Sequence, residues 1–215
     1  MQANRKDTAL HAFPYYRNYV DLARLELSAL QTAAHPVPIE SICFVGSGPL
    51  PMTSICFATM LSPPLRIHNI DCDAHAIAVS SQLCARLGGM GGTGSKVGVG
   101  GTGAAMNKAL LMTFEHADAS TVEGLAAFDV VFVAGLVGSE SVAEKTRILA
   151  HVVRRCRPDA LIVLRSAHGV RQLLYPEVDL TSLPSLGLRV MLVVHPWNHV
   201  VNSVVVCRVL DGAKL

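Results

Sequence analysis

Apolar residues recur along this chain in two kinds of run. Tyr19, Leu22, Ala23, Leu25, Ala29 and Leu30, with Glu26 among them, fall on one face at helical spacing, and Pro36 and Pro38 close that helix. Short apolar stretches follow at residues 42–45, 110–114, 129–136 and 160–164, and residues 66–70, more polar, read as a further strand between the first two. Runs of that length predict strands, and the most continuous of them, 129–136, predicts a strand buried on both faces. Helical stretches separate them at 52–61, at 74–87 and from Ser141 to Pro158, the last with Ile148, Val152 and Cys156 on one stripe. Asp73 is placed to cap the second of these and Gly88 to stop it. Ser141-x-x-Glu144 forms a capping box for the third, whose end carries Arg154, Arg155 and Arg157, as the macrodipole prefers. Ser120-x-x-Glu123 predicts a further short capped helix. Two last apolar runs, 188–194 and 203–209, are joined by few residues and predict an antiparallel hairpin. Alternating strands and helices ending in a hairpin describe an α/β, doubly wound sheet with an antiparallel C-terminal hairpin.

Composition bounds this picture more than it changes it. The 215 residues are 51% hydrophobic and 16% charged, enough for one sizeable core. A net charge of +2 argues against a nucleic-acid groove, and no apolar run reaches membrane-spanning length. The leader, residues 1–12, has no apolar signal core. Six scattered cysteines without a Cys-x-x-Cys read as reduced core thiols, which suits a cytoplasmic protein. Self-association into a homo-oligomer is compatible with the sequence. Residues 88–103 hold many of the 17 glycines but no Gly-Lys-Ser/Thr, and they follow a helix, so they read as a flexible insertion and not a phosphate loop.

Candidate chemistry gathers around Gly46-Ser47-Gly48, between the first strand and its helix. Glycines there let backbone approach a ligand closely, and Pro49 and Pro51 suit a helix start. The third glycine of a dinucleotide fingerprint is missing, so the turn fits a ligand without a pyrophosphate, or a plain tight turn between buried elements. Asp71 ends the second strand about twenty residues on, where nucleotide folds place an acid against ribose hydroxyls. Asp118 lies just past the third strand. A glycine turn, an acid after strand two and an acid after strand three are the layout of class I S-adenosylmethionine-dependent transferases. Either acid serves equally as a cap for its own element. His195 and His199 are separated by Pro196 and Trp197, which breaks helical i, i+4 geometry and argues against a metal site.

Several strings together resemble the nicotianamine synthase family. They are Phe13-Pro-Tyr-Tyr-Arg-Asn-Tyr19 with Leu25-Glu26, Phe44-Val-Gly-Ser-Gly-Pro-Leu-Pro51, His68-Asn-Ile-Asp-Cys-Asp73, the run 128–138, Leu164-Arg-Ser-Ala-His-Gly169 with Tyr175-Pro176, and His195-Pro196 with Val201-Asn-Ser-Val-Val205. The match runs from about residue 13 to about residue 208, interrupted by the glycine-rich stretch. The resemblance implies an enzyme that joins aminocarboxypropyl groups from three S-adenosylmethionines, releases three methylthioadenosines and closes an azetidine ring, with no metal of its own. It implies Gly46, Ser47, Gly48, Asp71 and Asp118 around S-adenosylmethionine, and one of Tyr15, Tyr16 or Tyr19 at the reacting amine. The same tyrosines read equally as a hydrophobic staple. Arg165 and His168 are candidates for substrate binding. For Arg165 the alternative is a salt bridge to a nearby acid; for His168 it is a loop cap. Family members carry a sizeable helical region before the tyrosines, whereas twelve residues precede Phe13 here, so residues 1–38 are expected to be a remnant of a lid and 39–215 the binding domain. An ordinary small-molecule methyltransferase and a non-catalytic binding module are the competing expectations.

Overall fold

The computed structural model of the chain describes residues 12–61, 65–87, 92–93, 111–134 and 141–212. Eight strands form one sheet in the order β3-β4-β2-β1-β5-β6-β8-β7. They are β1 (Ser41–Val45), β2 (Arg66–Asp71), β3 (Gly92–Thr93), β4 (Leu111–His116), β5 (Val130–Val133), β6 (Leu161–Ser166), β7 (Leu188–Val194) and β8 (Ser203–Val209). β1 to β6 pair in parallel, and β8 runs antiparallel between β6 and β7, so the C-terminal hairpin is present as expected. The helices are α1 (Tyr16–Ala34), α2 (Met52–Met60), α3 (Ala74–Arg86) and α4 (Val142–Arg155).

Strand alternation divides the core into two layers. Ile42 and Phe44 of β1, with Val130 and Phe132 of β5, face the layer shared with Leu22 and Leu30 of α1 and Ile55 and Phe57 of α2. Phe44 stacks on Phe132 at 4.6 Å between centroids, and Phe57 meets both rings edge-on at 5.8 and 5.5 Å. Each such pair adds about 0.5–1.5 kcal/mol to the area buried. Cys43, Val45, Val131 and Val133 face the other layer, against Leu149, Val152 and Val153 of α4. α1 is therefore built into the core that supports the sheet.

The expected caps on α3 and α4 form. Asp73 accepts the His75 N–H at 2.8 Å, and Ser141 Oγ accepts the Glu144 N–H at 3.2 Å. The Ser120-x-x-Glu123 capping box does not form. Asp118 Oδ1 takes the Ser120 N–H at 2.7 Å, Glu123 pairs with Arg155 at 2.8 Å, and Gly124 sits at φ +76. Only a 3-10 turn, Leu125–Ala127, follows. A side chain that already holds the loop leaves no free end for a helix to start from. β4 runs on to His116, two residues past the expected end, because β2 pairs with it as far as Asp71 opposite His116. β6 likewise extends to Ser166 because β8 matches it there. β3, at the sheet edge, lies inside the glycine-rich stretch, where no strand was expected. The rest of that stretch, the leader before Ala12, Gly88, and residues 135–136 of the fourth expected strand lie outside the described residues. Among the described residues no helix is long and apolar enough to cross a membrane.

Candidate functional site

The carboxyl ends of β1, β2 and β4 to β6 converge on one rim of the sheet, where ligands bind in folds of this kind. At the end of β1 the Gly46 and Ser47 N–H groups both donate to Ile70 O, at 2.8 and 3.0 Å. The chain then turns with Gly46 at φ +78 and Gly48 at φ +68, conformations that side-chain-bearing residues seldom adopt. Nothing lies within 4 Å of a Cβ built on Gly48, so glycine is required there by the backbone and not by crowding.

Asp71 braces this turn. Its Oδ2 accepts the Gly48 N–H at 2.7 Å and its Oδ1 the Asp73 N–H at 3.0 Å. A carboxylate has about four acceptor positions, so each oxygen keeps one for a ligand. Asp71 opens on a cavity of about 290 Å³ that also takes in Gly46, Cys72, Asp118, Val133 and Ile148. The Ser120 backbone and hydroxyl hydrogen bonds hold the Asp118 carboxyl below its ordinary range, so it stays ionised. Cys72 is pushed the other way, by partial burial first and then by the charges of Asp71 and Asp118. Glu144 and Arg147 of α4 close the far wall as a two-bond pair, at 3.0 and 2.6 Å. Two anions spaced across apolar walls suit a flat, hydrogen-bond-donating ligand with hydroxyls at one end.

A second cavity, also about 290 Å³, lies across the glycine turn and shares Gly46 with the first. Tyr19, Ser47, Thr53 and Arg165 line it. Ser47 Oγ is buried and has no hydrogen-bond partner among the described residues. Arg165, on β6, donates from Nε to Glu26 Oε1 at 2.7 Å, and from Nη2 to Glu26 Oε2 at 3.3 Å and Thr53 Oγ1 at 2.6 Å. Glu26 is fully buried. Burial works against the Arg165 charge, but Glu26 beside it outweighs burial and raises the guanidinium above its ordinary value. This ion pair ties α1, α2 and β6 together beneath the turn.

A third cavity, about 350 Å³, adjoins both: it shares Arg165 with the second and Val133 with the first. Leu149, Leu164, Leu183 and Leu186 give it an apolar side, and Lys145, Tyr175, Glu177 and Asp179 supply polar groups around them. The Tyr175 phenol is raised, by burial first, with Glu26 adding to that and Arg165 opposing it.

The structure thus brings Gly46, Ser47, Gly48, Asp71, Asp118, Tyr19 and Arg165 to one rim. It separates the three tyrosines. Tyr15 is 65% exposed and edge-on to Phe13 at 5.8 Å, and neither Tyr15 nor Tyr16 is among the residues lining these cavities. His168 is exposed and stacks on His195 at 4.1 Å, outside all three linings, and its side chain makes no cap hydrogen bond to the 3-10 turn Gly169–Leu173 that follows it. His195 meets Ser203 and His199 meets Asp21. Among the described residues no group of three His, Cys, Asp or Glu side chains is placed to hold a metal ion. Thr53 and Tyr175 were not singled out as candidates from the sequence. Tyr175 had a signal, its Tyr-Pro string, but Thr53 is an ordinary first-turn threonine until Arg165 reaches it.

The family profile described as "Nicotianamine synthase protein" matches residues 4–213. Nicotianamine synthase 2 of Arabidopsis thaliana is 39% identical over 206 residues, which are 95% of this chain and 58% of that protein. The chain thus spans less than two thirds of the length of such relatives. Among solved structures, a variant of MtNAS in complex with S-adenosylmethionine superposes with a TM-score of 0.71 at 21% identity, over 98% of this chain and 68% of that one. Magnesium protoporphyrin IX methyltransferase from Synechocystis, with bound S-adenosylmethionine, follows at 0.61 and 12% identity, over 97% and 86%. The chain therefore shares its fold with these two proteins.

Proposed function

The chain belongs to the nicotianamine synthase family, and from that premise we propose that it transfers aminocarboxypropyl groups of S-adenosylmethionine toward nicotianamine or a related metal chelator, releasing methylthioadenosine. The observation that carries this reading is the pair of cavities divided by the glycine turn, with two acids on one side and a tyrosine and an arginine on the other.

In this reading the first cavity takes the nucleoside. The spare acceptor positions of Asp71 receive the ribose hydroxyls, and Asp118 receives the adenine amino group. The sulfonium then sits over Gly46 to Gly48, and the methionine chain passes into the second cavity. There the unpartnered Ser47 hydroxyl and the remaining Arg165 donors meet its amino-acid end. Glu26 and Thr53 hold Arg165 in place for that contact.

A sulfonium offers three electrophilic carbons, and geometry decides which is attacked. Here a neutral amine attacks Cγ of the methionine chain. The N–C bond forms, the C–S bond breaks, and methylthioadenosine leaves with the sulfur electron pair. The new ammonium must lose a proton before it can act again, and a phenol beside it can relay that proton. Of the three candidate tyrosines, Tyr19 is assigned this place, because it lines the cavity. His168 has no part in the reading. The lead segment, residues 1–38, serves the site through Tyr19 and Glu26, and residues 39–215 bind the nucleotide. A cytoplasmic setting belongs to the proposal: all six cysteines are free thiols, five of them buried, which suits a reducing compartment.

The test is to incubate the protein with S-adenosylmethionine and identify the nucleoside formed. Methylthioadenosine is the expected product. S-adenosylhomocysteine would make the protein a methyltransferase instead. Calorimetric binding without turnover would make it a binding module.

A further inference from the structure

The third cavity has no role in the reading above, and its chemistry differs from that of the other two. Its floor is aliphatic, built from Leu149, Leu164, Leu183 and Leu186. Most polar groups around it are already engaged. Glu177 accepts from Gln172 at 2.6 Å, Asp179 accepts from the backbone and hydroxyl of Thr181 at 2.9 and 2.6 Å, and Ser182 Oγ donates to Asp179 O at 2.8 Å. Arg165 is turned toward Glu26 and Thr53. Two polar side chains in the lining, Lys145 and Tyr175, make no hydrogen bond or ion pair to the described residues. Glu177 and Asp179 line the same cavity, but neither is ion-paired with Lys145, so its ammonium keeps its donors open to an anion lying over the leucine floor.

We infer that this cavity is a binding site for a small organic carboxylate with an aliphatic body, its carboxylate held by Lys145 and its chain lying on the leucine floor. The inference goes beyond the proposed transfer reaction and does not depend on it. The charges already present restrict the ligand further. Glu177 and Asp179 on the rim repel a second carboxylate placed away from Lys145, so a monoacid fits better than a diacid. A hydrogen-bond acceptor beside the carboxylate would be met by the Tyr175 hydroxyl. Arg165 forms the shared wall with the second cavity, so an occupant here lies directly beside the ligand bound across the glycine turn.

Calorimetry with isocaproate tests this, with its uncharged isostere isocaproamide as control. The wild-type chain is expected to bind the acid about tenfold more tightly than the amide, the difference made by one charge-assisted contact. Lys145→Met keeps the stem and removes the charge, and it should lower acid affinity to the level of the amide. Leu186→Trp fills the cavity and should abolish binding of both. S-adenosylmethionine affinity, read in the same experiments, should stay within about twofold in both variants. Equal binding of acid and amide, undiminished binding in Lys145→Met, or no binding of isocaproate by the wild type would each overturn the inference. Those results are independent of whether S-adenosylmethionine binds or reacts.

Discussion

Two aspartates at opposite ends of the same sheet show how this molecule separates holding from binding. Asp129 stands at the amino ends of the parallel strands. Its Oδ2 accepts the N–H groups of Glu40 and Ser41 and the Ser41 hydroxyl, all at 2.8 Å, and its Oδ1 accepts Arg157 at 2.6 Å. Four donors fill a carboxylate. Asp71 stands at the carboxyl ends and accepts two backbone N–H groups, one on each oxygen. It is held as firmly in orientation, with half its capacity left over. The chemical group is the same. What differs is how many donors the surroundings supply, and that difference is why the proposed function gives Asp71, and not Asp129, to the ligand.

The largest expected effect belongs to the filled carboxylate. Asp129→Ala strands several donors and should cost about 2–3 kcal/mol of stability, a drop of roughly 5–10 °C in Tm by circular dichroism, with S-adenosylmethionine affinity little changed. The pH dependence follows the same group. Burial acts to raise the Asp129 pKa, but the hydrogen bonds from Glu40, Ser41 and Arg157 prevail and hold it below its ordinary value. A lowered folded pKa means that the stabilisation is complete above the unfolded value, about 3.9, and is lost as the pH falls through the folded value. Thermal melts below about pH 4 should show that loss, and the Asp129→Ala variant should show a shallower acid limb. An identical limb in both proteins would refute the structural assignment.

Asp71→Ala should do the reverse. Affinity for S-adenosylmethionine should fall roughly ten- to a hundredfold by calorimetry, while the circular dichroism spectrum stays native. Unchanged affinity would remove the ribose assignment and make Asp71 a second Asp129. The smallest effect is expected at Ser47→Ala. Its hydroxyl has no partner among the described residues, so removal should leave stability unchanged or raise it by up to about 1 kcal/mol, while affinity falls roughly two- to tenfold. A clear loss of stability would show that Ser47 serves the fold.

Much of this was legible beforehand, and the exceptions have physical causes. The bounds of β7 and β8 agree with the apolar runs: β8, between β6 and β7, is buried along almost its whole length, and β7, at the sheet edge, pairs with it from end to end. The Ser141 cap formed and the Ser120 cap did not, although both have the same spacing. Asp118 competes for the Ser120 N–H, and Gly124 interrupts any helix that would follow. The position of Gly46, Gly48, Asp71 and Asp118 on one rim could be read beforehand, because each lies at or just past the end of a strand. The three tyrosines could not be separated by spacing alone. Tyr19 faces the cavity while Tyr15 faces solvent, and that depends on how α1 rotates as it docks on α2 and β8.

Periodicity, turn residues and an acid at the end of a strand are local properties, and the sequence by itself determined them: a doubly wound sheet, a glycine turn and two carboxylates beyond it. Partnership is not local. Glu26 and Arg165 are 139 residues apart and meet only because α1 packs against α2 and β8, which gives the candidate substrate clamp a buried acid as its partner. The turn between β1 and α2 likewise leaves Ser47 without a partner among the described residues and gives Asp71 two donors. Which polar groups the fold uses up, and which it leaves for a ligand, was decided by the tertiary structure alone, because a hydrogen bond depends on where both of its ends lie in space.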